Sequence, residues 1–279
     1  MSLNHSAAKA KIRGSLLKSA LLLASGAAAA LVACAGPTAA AEKIDGHPSF
    51  SGFWLLEGYR GPKKSPADLP GGWRTFGSPD RPGPPFRPSV YQEFRARRVS
   101  EEAAMKRDDG LDEKTAQCDA GGFPDVMSFG DPLDIHQRAD EILMVTERDR
   151  QLPRHIYIVP NHPISEKYSP ESNGLIFHNG HSVAHWEGDT LVVKTDALDP
   201  SPWMFSIERV PHSDVMAVTE RFTLSADGKT LTDVMTITDP KTLTEPWVLK
   251  FNWHPAPADT ESFEGSCDIN FDYLGYKKK

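Results

Sequence analysis

The sequence predicts a mainly β protein, an antiparallel up-and-down barrel with a β-sandwich as the alternative. Two observations predict it. From Leu133 onward, segments of six to ten residues alternate apolar and polar side chains between turn residues, with no helical pattern intervening. Two turn signals, Gly188-Asp189 and Asp227-Gly228, each sit between two such segments, as in a hairpin. Short strands in series imply antiparallel connections, and closing the sheet on itself removes its exposed edges.

The amino-terminal residues are of a different kind. Lys9, Lys11, Arg13 and Lys18 precede an unbroken run of apolar and small residues from Ala20 to Ala33. Fourteen residues are too few for a membrane-spanning helix but fit the apolar core of a signal peptide. Export to the periplasm is therefore expected, with residues 1–41 as the signal. Two cleavage signals compete. Leu31-Val32-Ala33-Cys34 has the form of a lipobox, which would leave lipid on Cys34 and anchor the protein to the outer membrane. Ala39-Ala40-Ala41 would release a soluble protein. The remaining cysteines, Cys118 and Cys267, are expected to form one disulfide in an oxidising compartment. Closing so long a loop is worth about 4–5 kcal/mol on chain-entropy grounds.

Residues 42–115 are rich in Pro and Gly and read as wrapping chain with one strand, Phe50 to Leu56, and one helix, Val90 to Arg107. Residues 116–274 form the β domain. Its expected strands are Ile142 to Glu147, Arg154 to Val159, His181 to Trp186, Thr190 to Thr195, Val215 to Leu224, Thr230 to Thr238 and Trp247 to Trp253. Among up-and-down barrels the lipocalin-like kind fits this arrangement best. A chain of about 240 residues after the signal can bury a full core as one domain. The net charge of −7 is scattered, without a basic stripe, so nucleic acid is not an expected partner.

The hairpins carry a register. A turn at Gly188-Asp189 sets Trp186 opposite Leu191, Ala184 opposite Val193 and His181 opposite Asp196. Trp186, Leu191, Ala184 and Val193 then share an apolar face. His181, His185, Glu187, Lys194 and Asp196 share the other. A type I′ turn at Asp227-Gly228 sets Phe222 opposite Asp233 and Glu220 opposite Met235. That face is apolar except for Glu220 and Asp233, which are diagonal neighbours.

Residues 180–193, Gly-His-Ser-Val-Ala-His-Trp-Glu-Gly-Asp-Thr-Leu-Val-Val, resemble the signature of a large, mostly uncharacterised family of exported bacterial β-rich proteins. Pro211-His212-Ser213-Asp214, Glu220-Arg221-Phe222, Asp239-Pro240 with Pro246-Trp247, Glu264 before Cys267, and Phe50-Ser51-Gly52-Phe53-Trp54 also match its pattern. The chain departs from it at His185, where the family often has Gly, Arg or Lys nearby. The resemblance implies export and a β fold, and no agreed activity.

His181 opposite Asp196 and His212 near Asp214 are candidate acid–base pairs, since a carboxylate fixes the tautomer of an imidazole and supports its charge. Glu220 and Asp233, buried together, would have their pKa values driven apart. In the structural alternative each buried acid accepts from a nearby Arg, Tyr or backbone N–H, with Arg221 or Arg154 as candidate partner. A metal site is not expected, because His181 and His185 stand about 13 Å apart along a strand. Ser182 and Ser213 each adjoin a histidine, but neighbours on a strand point to opposite faces, so neither is a preformed dyad. No nucleophile elbow, phosphate loop or dinucleotide fingerprint is present. No cofactor is implied.

Trp247, Leu249, Phe251 and Trp253 alternate on one strand face. In an eight-stranded barrel such a stripe, with Trp186, can line a cavity for one small molecule. The leading expectation is thus an exported barrel that receives a small, partly apolar or aromatic molecule. Conversion, if it occurs, would be cofactor-free acid–base chemistry of the lyase, decarboxylase or isomerase type. The alternative is an envelope structural or assembly lipoprotein whose interior is filled by its own side chains.

Overall fold

The computed structural model describes residues 42–58, 76–106, 122–128, 130, 132–146, 153–159, 178–200, 203–205 and 209–261. The expected signal peptide, Cys34, the Cys118–Cys267 disulfide and Glu264 all lie outside the described residues. In chain order the elements are β1 (Lys43–Ile44), β2 (His47–Pro48), β3 (Gly52–Leu56), α1 (Pro88–Lys106), a 3₁₀ turn (Asp125–Met127), β4 (Leu133–Gln137), β5 (Glu141–Thr146), β6 (Arg154–Tyr157), β7 (His181–Glu187), β8 (Thr190–Asp196), β9 (Ala217–Leu224), β10 (Leu231–Thr238) and β11 (Trp247–Pro255).

The last nine strands, β3 to β11, close into a barrel in the order β10-β11-β3-β4-β5-β6-β7-β8-β9, with β9 pairing back to β10. The barrel class is therefore as the sequence predicts, and the sandwich is not. Both hairpin registers also match: Trp186 faces Leu191, and Asp233 faces Phe222. Three features differ from expectation. First, β4 is an additional strand, which pairs with both β3 and β5. Second, β6 and β7 run parallel, joined by Ile156↔Ser182 and Tyr157↔Val183, so the barrel is not a strict up-and-down ring. Third, the β9–β10 connection is not a type I′ turn. That type needs positive φ at both central residues, and here Gly228 has φ 68° while Asp227 is not left-handed. The Gly228 N–H instead bonds the Ser225 carbonyl at 2.8 Å, and the Ser225 hydroxyl accepts from the N–H groups of Lys229 and Thr230. The loop is longer but symmetric about the same centre, which is why the register survives.

Alternation decides what lies inside. On β11, Trp247, Leu249, Phe251 and Trp253 are each at most 2% exposed, whereas Val248 between them is 47% exposed. Ile135, Ile142, Met144, Ile156, Leu191, Val193, Phe222, Met235 and Ile237 are among the other buried residues of the inner face. The aromatic stripe is thus packed core. Trp247 meets Phe76 at 4.8 Å and Phe205 at 5.5 Å between ring centroids, and its indole N–H donates to the Pro82 carbonyl at 2.9 Å.

Both barrel ends are covered. At the end holding the Gly188 and Gly228 turns, Phe50 packs on Trp186 and Phe222, and His47 stacks on Trp186 at 4.5 Å with planes 1° apart. Gln137 pins this cover from inside: its carbonyl accepts from the Phe50 N–H at 2.8 Å and its amide donates to the Pro48 carbonyl at 3.1 Å. At the other end lie Phe76, Phe205 and α1. That helix opens on Pro88, a residue suited to a first turn, and presents Phe94 to Phe86 at 5.0 Å. Its Arg97 lies over the Trp203 ring at 4.0 Å.

Trp247→Ala is expected to destabilise the barrel by about 3–5 kcal/mol in urea unfolding. Val248→Ala should change stability by less than about 0.5 kcal/mol. Equal losses at the two positions would contradict the inside–outside assignment of β11.

A buried polar cluster as the candidate functional site

Six polar side chains point into the otherwise apolar inner face: Gln137, Arg154, Ser182, Thr195, Glu220 and Asp233. Five of them form one group around Arg154, the first residue of β6, which is 0% exposed. Its Nη1 donates to Glu220 Oε1 at 2.9 Å, and its Nη2 donates to Glu220 Oε2, so the guanidinium grips the carboxylate by two prongs. Nη2 also donates to Thr195 Oγ1 at 3.1 Å and Ser182 Oγ at 3.3 Å, and these hydroxyls lie 2.8 Å apart. One face of the guanidinium carries the Phe123 ring, its centroid 3.8 Å from Cζ.

Local sequence explains each placement. Ser182 and Thr195 pair across the β7–β8 hairpin, on the same face as Ala184 and Val193. Glu220 is opposite Val193 on one side and Met235 on the other. Phe123 comes from the strap before the 3₁₀ turn. Its N–H donates to the His178 carbonyl at 2.9 Å. Gly122 makes that approach feasible, since a Cβ there would lie 2.1 Å from the same carbonyl oxygen. Phe123, Val126 and Met127 of the strap are all buried, at 3% exposure or less.

Asp233 completes the cluster and is its least satisfied member. It is 0% exposed, flanked in register by Phe222 and Phe251, and no side chain hydrogen-bonds either carboxyl oxygen; the Arg221 backbone N–H lies near enough to favour the charged form without forming a well-aligned bond. Burial first, then the Glu220 carboxylate, pushes its pKa well above the usual carboxylate range, against the pull of the Arg154 guanidinium and the Arg221 backbone N–H. Asp233 therefore holds its proton at pH values where an ordinary carboxyl has lost it. Arg154 Nε is likewise buried without a partner. A neutral acid beside an arginine-held carboxylate is an arrangement suited to proton transfer in a dry interior.

The other sequence-derived candidates are dispersed. His181 and Asp196 do pair in register, but on the outer face, where Asp196 is exposed and the His181 ring lies 6.0 Å from Tyr157. His185 and Arg221 are on that face too. They bond Glu187 at 3.3 and 2.9 Å, and Arg221 first, then His185, lowers the pKa of Glu187. Of the two arginines considered for the buried acids, Arg154 is the one that serves. His212 and Asp214 sit in the loop before β9. There Lys241 holds Asp214 and lowers its pKa, and His212 Nδ1 is 3.2 Å from the Ser213 carbonyl. Ser213 has a clear role: its N–H and hydroxyl both donate to Asp239 at 2.7 Å. Burial raises the Asp239 pKa, but these bonds outweigh it and leave the group below its usual range. Trp247, Phe251 and Trp253 are core, and Trp186 is half-buried beneath His47. Among the described residues, no group of three His, Cys, Asp or Glu is placed to hold a metal ion.

Sequence reasoning did not anticipate Ser182 and Thr195 as partners of Arg154. The signal was present: both are polar residues at inward positions of the first hairpin. Phe123 carried no such signal. Comparison of the chain with family models, with curated proteins and with solved structures finds no match.

Glu220→Ala is expected to cost about 3–5 kcal/mol, because it strands the Arg154 charge in the interior. The paired change Arg154→Met with Glu220→Leu should cost clearly less, which chemical denaturation of the three proteins will show. For Asp233 the sign follows from its raised pKa: the folded state binds the proton more tightly than the unfolded chain does. Its favourable contribution is full below about pH 4, near the unfolded value, and is lost as pH rises through the folded value. Stability of Asp233→Asn should lack this decline, so the variant gains on the parent as pH rises from 4 to 8; a parallel pair of melting curves across that range would contradict the assignment.

Proposed function

We propose that the protein is an exported barrel that takes a small, partly apolar organic molecule into its interior and acts on it by cofactor-free acid–base chemistry. The observation that carries the reading is Asp233, an acid that is 0% exposed and has no side-chain partner on either oxygen, set beside the two-pronged Arg154–Glu220 pair. Buried polar atoms without partners are rare in folded proteins and call for a cause, a catalytic role among them, and acids with strongly perturbed pKa values cluster at functional sites.

In this reading Asp233 gives its proton to an oxygen of the ligand, and the Glu220 carboxylate takes one from an adjacent carbon. The result is an enol: return of the Glu220 proton to a different carbon, with the enol proton going back to Asp233, completes an isomerisation, and departure of a β leaving group that takes the Glu220 proton, with the same return to Asp233, completes an elimination. Ser182 and Thr195 hold Arg154, and Arg154 holds Glu220. Uptake displaces the Phe123 ring from Arg154, because the cluster is closed to solvent. The amino-terminal sequence supports export, with Cys34 as the lipid attachment point when the lipobox is used. Membership of the exported β-rich family rests on the signature residues, four of which the fold uses: Ser182 and Glu220 around Arg154, and Ser213 on Asp239.

A second reading is favoured by a specific observation as well. Trp247, Phe251 and Trp253 are packed core, as an envelope structural lipoprotein with a filled barrel would have them.

One experiment separates the two. The protein and its Asp233→Asn variant are incubated with an extract of the host culture, and small molecules are followed by mass spectrometry. Loss of a compound far beyond the amount of protein, abolished in the variant, is the expected outcome. Removal only up to the amount of protein would make the barrel a binder without turnover. No change with either protein would favour the structural lipoprotein.

A further inference from the structure

We propose that the interior site admits an uncharged molecule presenting an acceptor oxygen, such as a ketone or ester carbonyl, and rejects anions and cations of the same shape. This rests on the interior reading of the site given above.

The charges in the cluster are already committed. Both Nη groups of Arg154 face Glu220, and Nη2 is shared with Ser182 and Thr195. An incoming anion therefore finds no free cation among the described residues of the cluster, and it meets two carboxyl groups. An incoming cation finds Glu220 held by Arg154. It must then draw the proton from Asp233, whose register neighbours Phe222 and Phe251 are 0% and 1% exposed; the resulting charge is favoured only by the Arg221 backbone N–H and by Arg154, already committed to Glu220, and burial together with the Glu220 carboxylate opposes it. A carbonyl needs none of this. The unpartnered donor on Arg154 Nε and the carboxylic O–H of Asp233 each match an acceptor oxygen, and the aromatic flanks match an apolar remainder.

The test uses acetophenone, its para-carboxylate and its para-trimethylammonium counterpart, titrated into the full-length protein by calorimetry. Infrared spectroscopy reports the acetophenone carbonyl. Acetophenone should bind at least about tenfold more tightly than either charged analogue, with its carbonyl band lowered by hydrogen bonding. Asp233→Asn is close in shape and cannot ionise, so it should keep this preference. The proposal is overturned if the cation binds most tightly in the native protein and loses that affinity in Asp233→Asn, an outcome that leaves the interior site standing. Equal affinity for all three analogues overturns it too. Binding of none of them overturns the interior site and the charge selection together.

Discussion

The barrel depends on one buried contact, the grip of Arg154 on Glu220. A guanidinium withdrawn from water is costly unless most of its donors are answered, and of the Arg154 donors only Nε is left over. Here the carboxylate takes two prongs, two hydroxyls take a third direction and an aromatic ring covers a face. Four strands contribute: β6 gives the arginine, β7 and β8 the hydroxyls, and β9 the acid. The contact therefore couples strands that backbone hydrogen bonds join only to their immediate neighbours. Electrostatics here acts less as a source of net stability than as a device that fixes which strand lies beside which.

Asp233 stands apart within that device. Its lateral neighbours in the sheet are two phenylalanines. A carboxyl in such a place weakens the fold by the cost of desolvating it. A destabilising group kept at the centre of a core is the pattern of a site where stability is exchanged for chemistry, and the exposed outer histidines do not share it.

Much of the fold was legible because alternation is a strong signal in strands that are wet on one side. The β7–β8 and β9–β10 registers could be written from Gly188-Asp189 and Asp227-Gly228, and they place Glu220 and Asp233 inside together. The turn type at Gly228 was misread, since local sequence alone did not show that Ser225 would cap the loop with its hydroxyl. The strand β4 was missed because Leu133–Gln137 alternates over only five residues and lies far in sequence from its partner β3. The site was half legible. The two acids followed from register. Arg154 was one of two arginine candidates, and only tertiary structure separates it from Arg221, which turns outward to Glu187. The contact of Phe123 with Arg154 joins residues with no shared periodicity, so no pattern in the chain could announce it. His181 and Asp196 were correctly paired, yet a correct register says nothing about which face is lined by chemistry.

The parallel pairing of β6 with β7 has a consequence in parity. Strand directions around a closed ring can alternate without exception only when the number of strands is even. A ring of nine must contain at least one seam where neighbours run the same way, and here it falls between β6 and β7. Only two residue pairs stitch that seam, the same number as the small β1–β2 ribbon has. Arg154 sits at its margin and reaches across it to Ser182, Thr195 and Glu220, so side chains supply the closure that the backbone gives sparingly. An odd ring thus carries a marked place, and the polar cluster occupies it.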